Sequence, residues 1–98
     1  MSRMACIENI YDVLVAEGLS ADHACFDDLI IGCAAAAVDP VNPGKEVAQI
    51  IAELDEDRDE IMIALDIKEL FVQSGCKNFV TDVLAKAIAA GKAGWNQH

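Results

Sequence analysis

An uninterrupted apolar run over residues 29–38 constrains the fold of this chain more than any other feature. It covers ten positions, far fewer than the roughly 20 apolar residues with which a helix crosses a bilayer. A helix that is apolar on every side is a buried helix. We therefore expect residues 29–38 to form the central helix, with the small side chains at 33–37 letting neighbouring helices approach closely.

Apolar residues at helical spacing predict a first helix before this run. Its face carries Ile7, Ile10, Tyr11 and Leu14, and Gly18 is expected to end it near residue 17. A second helix is predicted to begin with Ser20 as its N-cap and Asp22 in its first turn. That helix is expected to continue through the apolar run to about Val38.

Two prolines and a glycine in residues 39–44 break the helical pattern. A third helix is expected to follow, with Asn42 as N-cap and Pro43 as its first residue. Its apolar stripe consists of Val47, Ile50, Ile51 and Leu54. The acidic residues 55–60 either extend this helix or turn into the next one.

Two more helices are predicted in the last part of the chain. The fourth covers about residues 60–73 and ends at Ser74 and Gly75. The fifth covers about residues 77–90, is stopped by Gly91, and leaves residues 91–98 as a loose tail. The inward face of the fifth helix is expected to consist of Phe79, Val80, Val83, Leu84, Ala87 and Ile88.

The chain length sets the scale of the fold. Its 98 residues allow one small domain with one core. The sequence therefore predicts an all-α fold, a compact bundle of about five helices in which residues 1–98 form a single acidic domain.

The four cysteines are each embedded among apolar residues, at positions 6, 25, 33 and 76. Since residues 1–5 do not resemble a secretory signal, we expect reduced thiols in the core, a soluble protein and a cytoplasmic location. His23 is two residues from Cys25 and points elsewhere on a helix, so it does not form a nucleophile–base pair with that thiol. With no other catalytic signature, the protein is predicted to be no enzyme and to need no cofactor.

Acidic residues dominate the charge of the chain. Seventeen Asp and Glu against seven Lys and Arg give a net charge of −10, which disfavours direct binding of nucleic acid. Seven carboxylates and no Lys or Arg lie between Met4 and Gly44, and six carboxylates and one arginine lie between Glu53 and Glu60. Two interpretations stay open: acid that keeps the protein dispersed, and an interface for a basic partner.

One acidic segment has the ligand spacing of a calcium-binding EF-hand loop. Asp55, Asp57, Asp59 and Asp66 occupy positions 1, 3, 5 and 12 of a twelve-residue window. Position 6, where that loop needs glycine, is Glu60, and position 12 is aspartate in place of the usual glutamate. We expect a solvated acidic helix end and no metal, and leave a degenerate magnesium site as the alternative.

The chain resembles the phage-encoded inhibitors known as anti-CRISPR proteins in its size, its negative charge and its two acidic tracts, 27–28 and 55–60. This resemblance implies a non-enzymatic inhibitor that acts in the bacterial cytoplasm. It would bind a protein or ribonucleoprotein complex with a basic surface and block binding of target DNA. The residues expected to accept salt bridges or hydrogen bonds from the partner are Asp27, Asp28, Asp55, Glu56, Asp57, Asp59 and Glu60.

A second function class fits the same composition. It is a helical regulatory or immunity-type module that binds one protein through an apolar groove, with the acid providing solubility. The sequence leaves open whether the protein is a monomer or a homodimer. Trp95 either anchors a second copy or packs against its own core.

Overall fold

The structure is a computed structural model that describes residues 1–39 and 45–97. The described residues contain no strand and five α-helices. The helices are α1 (Arg3–Ala16), α2 (Phe26–Val38), α3 (Val47–Leu54), α4 (Glu60–Gln73) and α5 (Val80–Trp95). The predicted all-α fold with about five helices is confirmed.

Two similar turns end α1 and α4, as their sequences predict. Gly18 and Gly75 follow these helices with φ of +93° and +68°, a conformation that side chains with a Cβ rarely adopt. In both turns, backbone N–H groups beyond the cap bond back to carbonyls of the last helical turn. The Ser20 N–H donates to Ser74 Oγ at 3.0 Å, which joins the two turns to each other.

Side chains from all five helices form one hydrophobic core. Helix α5 packs against α1 and α2, and α3 packs between α2 and α4. The radius of gyration, 12.5 Å, is that of a compact domain of about 100 residues. The largest fully buried side chains are Phe26, Ile10, Leu14, Leu29, Ile63, Leu70 and Val83, with Cys6 and Cys33.

The predicted start of the second helix is wrong. Ser20 does not cap it, and Asp22 lies in a turn that precedes Phe26, the first residue of α2. His23 Nδ1 accepts a hydrogen bond from the Cys25 N–H at 3.1 Å. The hydrogen bond from the Ser20 N–H to Ser74 Oγ ties residue 20 to the end of α4 and not to the start of α2. These local and long-range bonds offer the backbone an alternative to helix.

One side of the apolar run is buried and the other side is exposed, so the prediction of a fully buried helix is wrong. Leu29 and Cys33 are fully buried, whereas Ile31 is 54% exposed and Val38 is 38% exposed. Helices α1, α3 and α5 pack against α2, and one stripe of its surface remains uncovered.

Helix α3 is shorter than the sequence predicts. The proposed capping residues Asn42 and Pro43 lie outside the described residues, and Lys45 and Glu46 precede the helix in non-helical backbone. Val47, Ile50 and Ile51 are buried as expected, but Leu54, its last residue, is 61% exposed. Of the two alternatives for residues 55–60, the chain turns into α4 and does not extend α3.

Helix α5 runs past the predicted stop, so residues 91–95 are not a loose tail. Gly91 and Gly94 are buried helical positions where α5 approaches α1 closely, and neither ends the helix. Trp95 is half-buried and packs against the core. Phe79, predicted to face inward, is 78% exposed. It precedes the first residue of α5, so the helical spacing on which that prediction rests does not apply to it. His98 lies outside the described residues.

Candidate functional site

The two acidic tracts meet at one arginine. Arg58 Nη2 lies 2.6 Å from Asp28 Oδ2 at the start of α2, and Arg58 Nε lies 2.9 Å from Asp55 Oδ2 in its own turn. Arg58 Nη1 lies 3.6 Å from Asp66 Oδ2 on α4. Residues 27–28 and 55–60 therefore form a single region, which we call the acidic surface.

The turn between α3 and α4 holds Arg58 in this position. Asp55 Oδ1 accepts the Asp57 N–H at 3.2 Å, and the Arg58 N–H donates to the Asp55 carbonyl at 3.3 Å. Asp55 thus forms the turn with one oxygen and pairs with the guanidinium with the other. The side chain of Arg58 is 24% exposed, so solvent screens its ion pairs only in part.

The ion pairs shift the pKa of both partners. The Arg58 guanidinium, and after it the Asp57 N–H, lowers the pKa of Asp55 below its ordinary value. Hydrogen bonds to Asp28 and Asp55 raise the pKa of Arg58. Three carboxylates around one guanidinium still leave the cluster negative at neutral pH.

The seven predicted site residues fall into two groups. Asp28 and Asp55 pair with Arg58, and Asp59 Oδ1 caps α4 by accepting the Met62 N–H at 2.8 Å. The side chains of the other four make no hydrogen bond or ion pair with another described residue, and all four are exposed. These four are Asp27, Glu56, Asp57 and Glu60.

Two of the four exposed carboxylates have a role within the fold. Asp27 and Glu60 lie in the first turns of α2 and α4, where the helix macrodipole favours a negative charge. Glu56 and Asp57 lie in the turn between α3 and α4 and have no such role. The acidic surface therefore holds carboxylates that stabilise the fold beside carboxylates that only solvent contacts.

The alternative of a metal loop does not match the geometry. Helix α4 begins at Glu60, in the middle of the window that an EF-hand would form as a loop. Arg58, a cation, lies between Asp55 and Asp66. Within residues 1–39 and 45–97, no group of three or more His, Cys, Asp or Glu side chains is arranged to hold a metal ion.

The buried cysteines do not form a nucleophilic site. Burial raises the pKa of Cys33 to about 12 and that of Cys25 to about 11, with Asp66 and Asp28 adding to the shift at Cys25. Cys25 Sγ donates to the Asp66 carbonyl at 3.4 Å. Because the thiolate is the reactive form, these protonated thiols act as core side chains.

Sequence reasoning misses two features of the structure. The sequence shows Arg58 only as a lone cation among acidic residues, since nothing in it places Asp28 next to Asp55. The second feature is an apolar groove of about 250 Å³ between α1 and α2, which Trp95 also lines. Helical spacing grouped Ile7 and Tyr11 with the buried Ile10, but they are 41% and 43% exposed.

No family model, curated protein sequence or solved structure matches this chain. Among the described residues, no helix combines the length and the apolar character that crossing a membrane requires.

Proposed function

We propose that this protein is a non-enzymatic inhibitor whose acidic surface binds the basic, nucleic-acid-binding surface of a bacterial protein complex. The observation that carries the proposal is the convergence of two acidic tracts, distant in sequence, at Arg58. Four exposed carboxylates of this surface have no partner among the described residues. Carboxylates that are exposed and have no partner among the described residues remain available to the cations of another protein.

Under this proposal the acidic surface attracts a basic partner and also holds the carboxylates that bind it in a fixed orientation. A net charge of −10 steers a basic partner toward the protein and repels acidic ones. The ion pairs of Arg58 fix the turn on which Glu56 and Asp57 lie, so less conformational freedom is lost when the partner binds. Lys and Arg side chains of the partner then donate charge-assisted hydrogen bonds to these carboxylates.

The shape of the acidic surface favours an inhibitor that blocks a local basic groove of its partner over one that imitates a whole DNA duplex. Helix α3 ends at Leu54, so Glu46, Glu53 and Glu60 do not form one continuous helical stripe. The charges are concentrated instead around one turn and two helix N-termini. A surface of this kind fits a local basic groove in which the partner would bind part of a nucleic acid.

The resemblance in size and charge to anti-CRISPR proteins selects the first partner class to test. That class is a bacterial RNA-guided complex, which binds target DNA through basic surfaces. The site of action under this proposal is the bacterial cytoplasm.

A pull-down from bacterial lysate at low and at moderate salt tests the proposal. The bait is the wild-type protein, a site variant (Glu56→Gln, Asp57→Asn, Glu60→Gln) or a control variant (Asp22→Asn, Glu46→Gln, Glu69→Gln). Both variants lose three exposed carboxylates, so their net charges are equal. Mass spectrometry of the retained proteins is the readout.

We expect the wild-type and control baits to retain a nucleic-acid-binding complex at low salt and to release it at moderate salt. The site variant is expected to retain much less of it. Equal retention by the site and control variants would mean that total charge, and not the acidic surface, determines binding.

The apolar groove between α1 and α2 favours the second candidate function, a regulatory module that binds one protein through apolar contacts. Exposed Ile7 and Ile31 line this groove. Apolar docking changes little with ionic strength, so a partner retained equally at both salt concentrations would support this second function.

A further inference from the structure

His23 binds the backbone at the point where α2 begins. Its Nδ1 atom accepts a hydrogen bond from the Cys25 N–H at 3.1 Å, and its carbonyl accepts one from the Phe26 N–H at 3.1 Å. Cys25 is the N-cap residue of α2, and its side chain makes no capping hydrogen bond. The ring and the carbonyl of His23 thus hold two successive N–H groups at the start of this helix.

The hydrogen bond to Nδ1 requires the neutral form of the ring. An imidazole nitrogen accepts a hydrogen bond only when it carries no proton, and in the charged form both nitrogens carry one. These contacts therefore assign the proton of the neutral ring to Nε2, which lies 4.0 Å from Glu69 Oε1 on α4. The Gln73 side chain donates a hydrogen bond to the same oxygen at 2.8 Å.

The charged groups near the imidazole lie on its own turn and on α4. Glu69 faces Nε2 from α4, and Asp22 precedes His23 in the chain. Among the described residues, no group of α1, α3 or α5 pairs with the ring, whose side chain is 16% exposed. The charges that shift the pKa of the neighbouring Cys25 thiol are those of Asp66, Asp28 and Arg58.

From this arrangement we infer that His23 is a pH-sensitive switch for the start of α2. Histidine side chains change charge between about pH 5 and pH 8. Protonation places a hydrogen on Nδ1, so the Cys25 N–H loses its one acceptor among the described residues, while the new positive charge is attracted to Glu69. Because Cys25 is only 6% exposed, an unpaired N–H there is unfavourable.

The turn before α2 is therefore expected to open when the ring is charged. Residues 27–28 of the acidic surface lie in the first turn of that helix, so they are then held less firmly. The switch lies within the chain itself and does not depend on the proposed function.

Nuclear magnetic resonance of the isotope-labelled protein between about pH 8 and pH 5 tests the switch. The ring nitrogen shifts show which nitrogen of His23 carries the proton, and the Cys25 amide shift follows its hydrogen bond. His23→Asn is the site variant, because an asparagine oxygen can accept from the N–H two residues later and does not titrate. His98→Asn, at the other histidine of the chain, is the matched control.

We expect the neutral His23 ring to carry its proton on Nε2, and the Cys25 amide proton to shift upfield as the ring becomes charged. This shift should be lost in His23→Asn. It should persist in His98→Asn and in Glu69→Gln, which removes the charge that faces Nε2 and leaves Nδ1 free to titrate.

Three results would overturn the switch. A neutral ring protonated on Nδ1 would contradict the hydrogen bond on which it depends, and this measurement uses the wild-type protein alone. A Cys25 amide that stays constant while the His23 ring titrates would show that the turn does not respond. The same amide shift in His23→Asn, with wild-type helix content by circular dichroism, would assign the response to another group.

Discussion

Gly94 lies where α5 crosses the first turns of α1. A Cβ added at this position would lie 2.5 Å from the Ala5 carbonyl oxygen and 2.8 Å from Asn9 Nδ2. The Asn9 side chain also donates to the Ala90 carbonyl at 3.0 Å. Because the nearest atoms belong to the backbone, the helices themselves must move apart to make room.

Gly94→Ala is therefore expected to destabilise the protein by about 1–3 kcal/mol, the usual cost of overpacking. Helix propensity alone predicts the opposite sign, a gain of up to about 1 kcal/mol. Urea denaturation measures the change, and Ala93→Gly, at the exposed neighbouring position, calibrates propensity at this end of α5. A stabilised Gly94→Ala protein would show that α5 does not pack against α1 in this way.

Arg58 is the residue that joins α2, the turn at 55–59 and α4. Arg58→Gln leaves the carboxylates of Asp28, Asp55 and Asp66 facing one another without a cation. We expect Tm to fall by about 2–5 °C, with a smaller fall in salt because the repulsion is screened. Arg58→Lys should lie between the two, since an ammonium lacks the planar fork of donors.

Lys68→Gln provides the control for Arg58. Lys68 is exposed on α4 and makes no ion pair with another described residue, so this variant removes the same charge without breaking the cluster. If both variants lower Tm equally, the loss comes from net charge and the ion pairs at Arg58 contribute nothing.

At the scale of the elements, Glu17 connects the end of α1 with Lys86 on α5 and with Asn78, which precedes that helix. Glu17 Oε1 lies 3.0 Å from Lys86 Nζ, and its other oxygen accepts from the Asn78 side chain. These hydrogen bonds, that from Lys86 first, lower the pKa of Glu17. The contribution to stability is therefore complete above the unfolded-state pKa of about 4.3 and is lost as pH falls through the lower folded-state pKa.

We expect Glu17→Gln to be less stable than the wild type at pH 7 and the difference to shrink below about pH 4.3. Urea midpoints of both proteins, taken across this pH range, measure it. Glu8→Gln is the control, because Glu8 lies on α1, the helix that Glu17 follows, and has no partner among the described residues. A difference that stays constant with pH would contradict the assigned hydrogen bonds.

The elements that depend on local signals are the ones the sequence predicts well. Helix α4 occupies residues 60–73 as expected, because a capping aspartate begins it and a serine–glycine pair ends it. The predictions that are wrong concern positions whose conformation depends on contacts with residues distant in the sequence. Ser20 bonds to Ser74 and does not cap α2, and Gly91 and Gly94 are contact points with α1 that resemble helix stops.

The candidate site was predictable in composition and not in arrangement. The sequence shows that residues 27–28 and 55–60 are acidic, but their proximity depends on how α2 and α4 pack. The exposed stripe of α2 was also missed, since a fully apolar run gives no sign of which side neighbouring helices cover. Burial in the structure separates Leu29 from Ile31, two positions that hydrophobicity alone makes equivalent.

At the scale of the whole molecule, a net charge of −10 costs stability through self-repulsion. The chain offsets part of this cost by placing acids at helix N-termini and around Arg58. Four of the carboxylates left exposed without a partner among the described residues, Asp27, Glu56, Asp57 and Glu60, lie together on the acidic surface. This distribution is the physical basis of the proposal that a basic partner completes the charge balance.

Competition with nucleic acid tests that proposal most directly. The complex retained in the pull-down is first bound to fluorescent target DNA, and wild-type protein is then added. We expect it to displace the DNA, the control variant (Asp22→Asn, Glu46→Gln, Glu69→Gln) to do the same, and the site variant (Glu56→Gln, Asp57→Asn, Glu60→Gln) to fail. DNA that stays bound while the wild-type protein also binds would contradict the account.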